Sequence, residues 1–159
     1  MSGALTDVAS AQHEVKLALF RITQELFRDD DQVYVSYGHP GDRRDLKDVL
    51  AWTNVRTEQS AATLGTNRSR DEDIFVTAVV SCFRAGVLDD DLVPATAATD
   101  ILRTIERQVR VTDTTLGGVV RHCFLENTDS AGVSDRQLLS RGRLYQITAE
   151  FRALARITS

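Results

Sequence analysis

Tyr145-Gln146-Ile147-Thr148-Ala149-Glu150-Phe151-Arg152-Ala153-Leu154-Ala155-Arg156-Ile157 is the stretch that decides the fold. Every odd position is apolar, and the even positions are polar with the single exception of Leu154. That is the period of two required of a strand with one face in a core and the other in water. At about 3.3 Å per residue such a strand runs about 43 Å, whereas a compact domain of this length has a radius of gyration of about 15 Å. The strand crosses the whole molecule, so the pattern predicts an edge-capable element, part of which pairs with another chain. The end of the sequence therefore points to assembly more than to catalysis.

The rest of the composition fits one domain over residues 1–159. A chain of 159 residues can bury a core without disulfide or metal staples, and 26% charged with 42% hydrophobic residues is ordinary globular usage. A net charge of -4 argues against a general nucleic-acid binder, since phosphate binding draws on a basic surface. Asp7, His13, Glu14 and Lys16 interrupt the start, so no signal-peptide core forms there, and no stretch approaches a transmembrane span. Cys82 and Cys123 both sit in apolar strand-like runs and read as buried reduced thiols.

Working outward from the terminal strand, Val8, Ala11, Val15, Leu19, Ile22 and Leu26 recur at spacings of three and four, predicting a helix from Thr6 to Phe27 that ends at Asp29-Asp30-Asp31. Val33 to Tyr37 reads as a first strand, stopped by the turn Gly38-His39-Pro40-Gly41. Val49 to Gln59 reads as a second strand and Glu72 to Phe83, apolar on both faces, as a central one. Between them Ala61 to Asp71 reads as a long polar hairpin loop. After Asp89-Asp90-Asp91, Pro94 suits the first turn of a helix that carries Ala97, Ile101, Ile105 and Val109 to about Arg110. Gly117-Gly118 then turns the chain into a strand from Val119 to Glu126, and a flexible polar segment, Asn127 to Ser140, leads to the last strand. The expected architecture is α+β: a mixed, mostly antiparallel sheet of about five strands with two helices packed on one face.

Residues that could carry chemistry have simpler readings. The two aspartate triplets lack the alternate spacing of a calcium loop and read as solvated caps or loops. His122 and Cys123 point to opposite faces, no Cys-x-x-Cys pair completes a zinc site, and core packing accounts for Cys123. No Gly-x-Ser-x-Gly elbow is present, and His13, His39 and His122 lie in unrelated segments. Gly117-Gly118 is not a phosphate loop, because neither a helix nor Lys-Ser or Lys-Thr follows. No catalytic residue, cofactor or metal site is expected. Charge is uneven, with six acids against three bases over residues 1–31 and two against five over 134–159. Unlike ends of this kind suit a head-to-tail contact between neighbouring subunits.

Glu72-Asp73-Ile74-Phe75-Val76, the helix Ile101-Leu102-Arg103-Thr104-Ile105-Glu106 running into Val109-Arg110, the following Thr115-Leu116-Gly117-Gly118, and Gly142-Arg143-Leu144-Tyr145 leading to Ala155-Arg156-Ile157 together resemble the tail terminator proteins of long-tailed bacteriophages, particularly those infecting actinobacteria. The resemblance is one of pattern and spans most of the chain. It implies a structural virion protein and no enzyme: a ring, hexameric in that family, on the head-proximal end of the tail tube, assembled in the host cytoplasm. Its implied partners are further copies of itself, the tail tube protein and a head-tail connector or neck protein, with DNA only in transit through the lumen and no membrane. A neck or head-completion protein of the same virion fits the same facts, and a small cytosolic enzyme or ligand-binding domain is the reading from another class. The expected subunit or tube contacts are Gly65, Asn67, Arg68 and Arg70 in the polar loop, with Glu150, Arg152 and Arg156 on the polar face of the last strand.

Overall fold

In the computed structural model, which describes residues 4–6, 9–41, 47–61 and 69–158, the terminal alternation becomes the longest strand of the molecule. In chain order the elements are β1 (Ala4–Thr6), α1 (Gln12–Leu26), β2 (Val33–Tyr37), β3 (Asp48–Ala61), β4 (Arg70–Ala85), α2 (Leu92–Arg107), β5 (His122–Gly132), α3 (Arg136–Leu139) and β6 (Gly142–Thr158). The expected α+β class is what forms: one mixed, mostly antiparallel sheet with helices packed against it. Its path is β1-β6-β4-β3-β2, and β5 also pairs with β6. Because β1 meets β6 at positions 156–158 and β5 meets it at 145–154, the two short partners share one flank. Six strands thus occupy five lanes.

Three sequence readings of the sheet change. The last strand is interior, not edge-capable: all 16 residues of β4 pair along one side of it, and β5 with β1 fill the other. Its length is used inside the chain, so length alone gives no reason for an external partner. The first helix begins at Gln12, not Thr6, because Ala4–Thr6 is drawn into parallel pairing with the far end of β6. Strand β5 starts at His122, not Val119, and runs through the segment read as a flexible loop to Gly132. Pairing with β6 satisfies its backbone although its side chains are polar.

The helix face of the sheet carries the core. Ile74, Val76, Ala78, Val80 and Cys82 of β4 and Ile147, Ala149, Phe151, Ala153, Ala155 and Ile157 of β6 are buried there. They join Leu50 and Trp52 of β3, Val15 and Leu19 of α1, and Ala98, Ile101 and Ile105 of α2 in one cluster. The Trp52 and Phe151 rings lie 5.6 Å apart at a tilt of 59°. Trp52 Nε1–H donates to Thr23 Oγ1 at 2.9 Å, and that hydroxyl donates to the Leu19 carbonyl at 2.8 Å, so the indole is buried without losing its hydrogen bond.

The start of α1 is fixed from across the core. Its N-cap residue Ala11 has no side chain that can cap it, and locally only Ser10 Oγ accepts, from Gln12 N–H at 3.3 Å. Instead Glu72 of β4, fully buried, accepts from Ala11 N–H at 2.6 Å and Ser10 Oγ–H at 3.3 Å, with Gln59 Nε2–H on its other oxygen. A carboxylate at a helix N-terminus satisfies orphan donors and opposes the positive end of the dipole. The Asp90 carboxylate does the equivalent for α2, accepting from Leu92 N–H at 2.9 Å. At its other end α2 ends at Arg107 and the chain continues as one π-helical turn, Gln108–Thr112, closed by Asp113 N–H to the Gln108 carbonyl at 3.0 Å. Asp113 then accepts from Thr115 N–H and Oγ–H and from Gly117 N–H, holding the turn in which Leu116, Gly117 and Gly118 all have positive φ.

Candidate functional site

The face of the sheet turned away from the helices holds three of the expected contact residues. Alternation puts Gln146, Thr148, Glu150, Arg152, Leu154 and Arg156 of β6 beside Asp71, Asp73, Phe75, Thr77, Val79 and Ser81 of β4. At one end the turn after β2 lies against this face, where His39 and Pro40 line a pocket of about 120 Å³ with Val49, Ala51, Val79, Ser81 and Gln146. Toward the other end the face is a ladder of charge. Arg56, Phe75, Arg152 and Phe124 stand in one cross-strand row over β3, β4, β6 and β5. The Arg56 guanidinium lies 3.8 Å and that of Arg152 lies 5.4 Å from the Phe75 ring centroid. Two cations on one ring account for the burial of Phe75 in the charged part of this face.

Carboxylates surround that row. Arg152 pairs with Asp73 at 3.1 Å and Glu126 at 3.6 Å, Arg56 with Glu58 at 3.2 Å and Glu150 at 3.5 Å, and Arg156 with Asp71 at 2.9 Å. The hydrogen bond from Arg156 holds the Asp71 carboxyl below its ordinary pKa. Glu150, Arg152 and Arg156 are therefore brought together as expected, but each is already engaged within its own chain. The partners were beyond sequence reading, since Asp73 and Asp71 lie 79 and 85 positions from the arginines they bind.

The loop residues fare differently. Gly65, Asn67 and Arg68 lie outside the described residues. Arg70 belongs to β4, not to a loop, and its guanidinium donates to the Ala9 carbonyl, tying the strand to the start of α1. The expected loop from Ala61 to Asp71 is shorter at both ends, because Ala61 closes β3 and pairs with Arg70.

The other chemistry-bearing residues occupy separate places. Burial pushes both thiols up to about 12, with Asp48 adding to the effect at Cys82. Asp48 itself is held by a bidentate contact from Arg84 at 2.6 and 3.0 Å. His13 meets the Tyr37 hydroxyl at 3.2 Å, His39 accepts from Gly41 N–H, and His122 stacks on Phe124. Among the described residues no group of three or more His, Cys, Asp or Glu side chains is placed to hold a metal ion. The larger depression, about 530 Å³, lies between the C-terminal ends of α1 and α2 and is lined by Leu26, Arg103, Arg107, Gln108 and Arg110. Arg103 and Arg110 are paired along their own helix with Asp100 and Glu106.

Sequence reading found β2 but missed the second half of β5. Strand β2 ends the sheet on one side and β5 on the other. On β5, residues 126–131 are exposed on both faces, so no hydrophobic alternation marks them as a strand. No protein-family model matches the chain, and no curated protein matches it in sequence.

Proposed function

We propose that this chain is a structural virion protein that forms a ring on the head-proximal end of a bacteriophage tail tube, ends tube growth there and offers its far side to the head connector. The observation that supports the reading is architectural. Both helices pack on one face of a sheet whose other face carries a ladder of ion pairs toward one end and whose two outer strands have no further strand beside them among the described residues. A subunit of this build can be placed side by side with copies of itself without refolding. The ring's outer contacts would then be polar and wet, suited to association that is weak until a tube end gathers the subunits.

The test is made on growing tail tubes of the phage that encodes the chain. Added protein is expected to give tubes of one narrow length with density at one end, and its absence tubes of unregulated length. Unchanged lengths with no protein at tube ends would overturn the reading. Binding to head connectors in place of tubes would transfer the assignment to a neck protein of the same virion.

A further inference from the structure

We infer that the two free edges of the sheet are complementary, so that β5 of one copy pairs antiparallel with β2 of the next, with Tyr37 opposite Thr128, Val35 opposite Ser130 and Val33 opposite Gly132. The inference deepens the ring reading by naming the subunit contact, and it rests on that reading only for what the assembly is used for. Four features of the backbone and its charges lead to it.

The first is which groups point outward. Gly38 N–H donates to the Trp52 carbonyl and Asp48 N–H to the Gln32 carbonyl, which in a parallel ladder aims the even-numbered residues of β2 at β3. The backbone N–H and C=O of Val35 and Tyr37 face away from the sheet, and no described group meets them. On β5, Val133 N–H donates to the Leu144 carbonyl, which aims odd positions at β6 and leaves Thr128, Ser130 and Gly132 outward. Each edge therefore offers its pairing groups at alternate residues, as an added strand needs.

The second is direction. Strand β2 is parallel to β3, and β3, β4, β6 and β5 then alternate, so β2 and β5 run oppositely. Two copies set side by side in the same orientation present these edges to each other as an antiparallel pair.

The third is facing. In antiparallel pairing, opposed residues put their side chains on the same face. Val33, Val35 and Tyr37 register with Asp48, Leu50 and Trp52 on the helix face, and Thr128 and Ser130 register with Ala149 and Ile147 on that same face. The seam joins helix face to helix face, and the charged ladder continues on the other side from one copy to the next.

The fourth is charge. Strand β5 carries Glu126 and Asp129, with Asp129 on the charged face beside Thr148 and Glu126 held there by Arg152 at 3.6 Å. Pairing β5 with β5 instead would set two Asp129 carboxylates one diagonal apart on the same face, which like charges disfavour. Strand β2 itself has no charge, proline or bulge to guard its edge, the condition under which an edge accepts another strand.

The experiment uses the full chain carrying Tyr37→Cys and Thr128→Cys together, oxidised over a range of concentrations, with native mass measured on the unsubstituted protein. Both positions are exposed, and opposed residues in such a pair lie about 5.5 Å apart at Cα, within disulfide reach. The native cysteines are buried. The expected result is a reducible ladder of covalent oligomers ending at one closed size, with positions 37 and 128 joined in the digest. Each single variant is expected to give no ladder. Val35→Cys with Ser130→Cys, bridged by a short bifunctional thiol reagent, covers the case in which the first pair does not fold. Dimers from Tyr37→Cys alone, or no 37–128 and no 35–130 linkage at any concentration, would overturn the seam. A ring in native mass without these linkages overturns the seam and leaves the ring. A linked ladder from a protein that leaves tube length unchanged keeps the seam and overturns the tail-terminator reading.

Discussion

The two faces of β6 come from one stretch of thirteen alternating residues and are held in place by different physics. On the odd face Ile147, Ala149, Phe151, Ala153, Ala155 and Ile157 are all buried among side chains from both long helices and the neighbouring strands. On the even face Glu150, Arg152 and Arg156 are half-buried, Arg152 and Arg156 each in an ion pair with β4 and Glu150 in one that reaches across β4 to Arg56 of β3. The difference teaches where stability resides. Burial of apolar area is insensitive to salt and pH, whereas exposed ion pairs are screened and contribute little each. The odd face holds the chain folded, and the even face is free to vary with a binding partner.

The strongest challenge to that contrast is Phe151→Ala. Phe151 is 0% exposed and packs on Trp52, so the substitution is expected to cost about 3–5 kcal/mol in a denaturant titration. A loss no larger than that of a surface substitution would mean that the core does not close over β6. Glu72→Ala sharpens the same face, because Glu72 is its buried carboxylate and anchors α1. Removing it leaves the Ala11 N–H without an acceptor, and the expected cost is about 1–3 kcal/mol, with hydrogen exchange rising first at residues 11–15. Uniform exchange along α1 would show that the helix start does not depend on the cap.

Legibility followed the same division. Period two exposed β6, and spacings of three and four exposed α1 and α2, because in each case one side of the element is dry and the other wet; Val33–Tyr37 was legible instead from its β-rich residues and the turn that stops them. The second half of β5 was illegible for the opposite reason: Glu126 to Ala131 are wet on both sides, so nothing in their order distinguishes strand from loop. Strand β1 is three residues long and is strand only because β6 extends past β5 to receive it. The π-helical turn escaped notice because Ile101, Ile105 and Val109 keep a helical spacing straight into it. For the candidate contacts, the polar face of β6 was visible in the alternation. Its intrachain partners were not, since they depend on which strand lies beside β6, and the neighbours of β6 come from both ends of the chain.

Arg152→Met tests the even face. The methionine keeps an apolar stem over Phe75 while deleting the contacts to Asp73 and Glu126. The thermal midpoint is expected to move less than for Glu72→Ala, and the difference from the parent to vanish at high ionic strength, where the lost pairs are screened in both proteins. A loss comparable to that of Phe151→Ala, unchanged by salt, would erase the distinction between the faces.

The smallest expected effect is on acid stability, and its sign follows from the Asp71 carboxyl. Its hydrogen bond from Arg156 lowers its pKa on folding, so its contribution is fully present above the unfolded carboxylate value of about 3.9 and is lost as pH falls through the lower folded value. Asp113 acts in the same direction, its carboxyl held low first by the hydrogen bond from Thr115. Both groups are half-buried and still reached by solvent, whose screening keeps each contribution small. Asp71→Asn is therefore expected to leave stability at neutral pH nearly unchanged and to make the decline below pH of about 4 shallower, read as denaturation midpoints against pH for the variant and its parent. Asp113→Asn supplies the comparison within the Leu116–Gly118 turn, away from the sheet. If Asp71→Asn flattens the acid limb and the two substitutions together flatten it further, the pH dependence belongs to separate half-buried carboxylates and the odd face of β6 takes no part in it. An acid limb that neither substitution alters would place the titrating group elsewhere, and the contrast between the two faces would lose its electrostatic half.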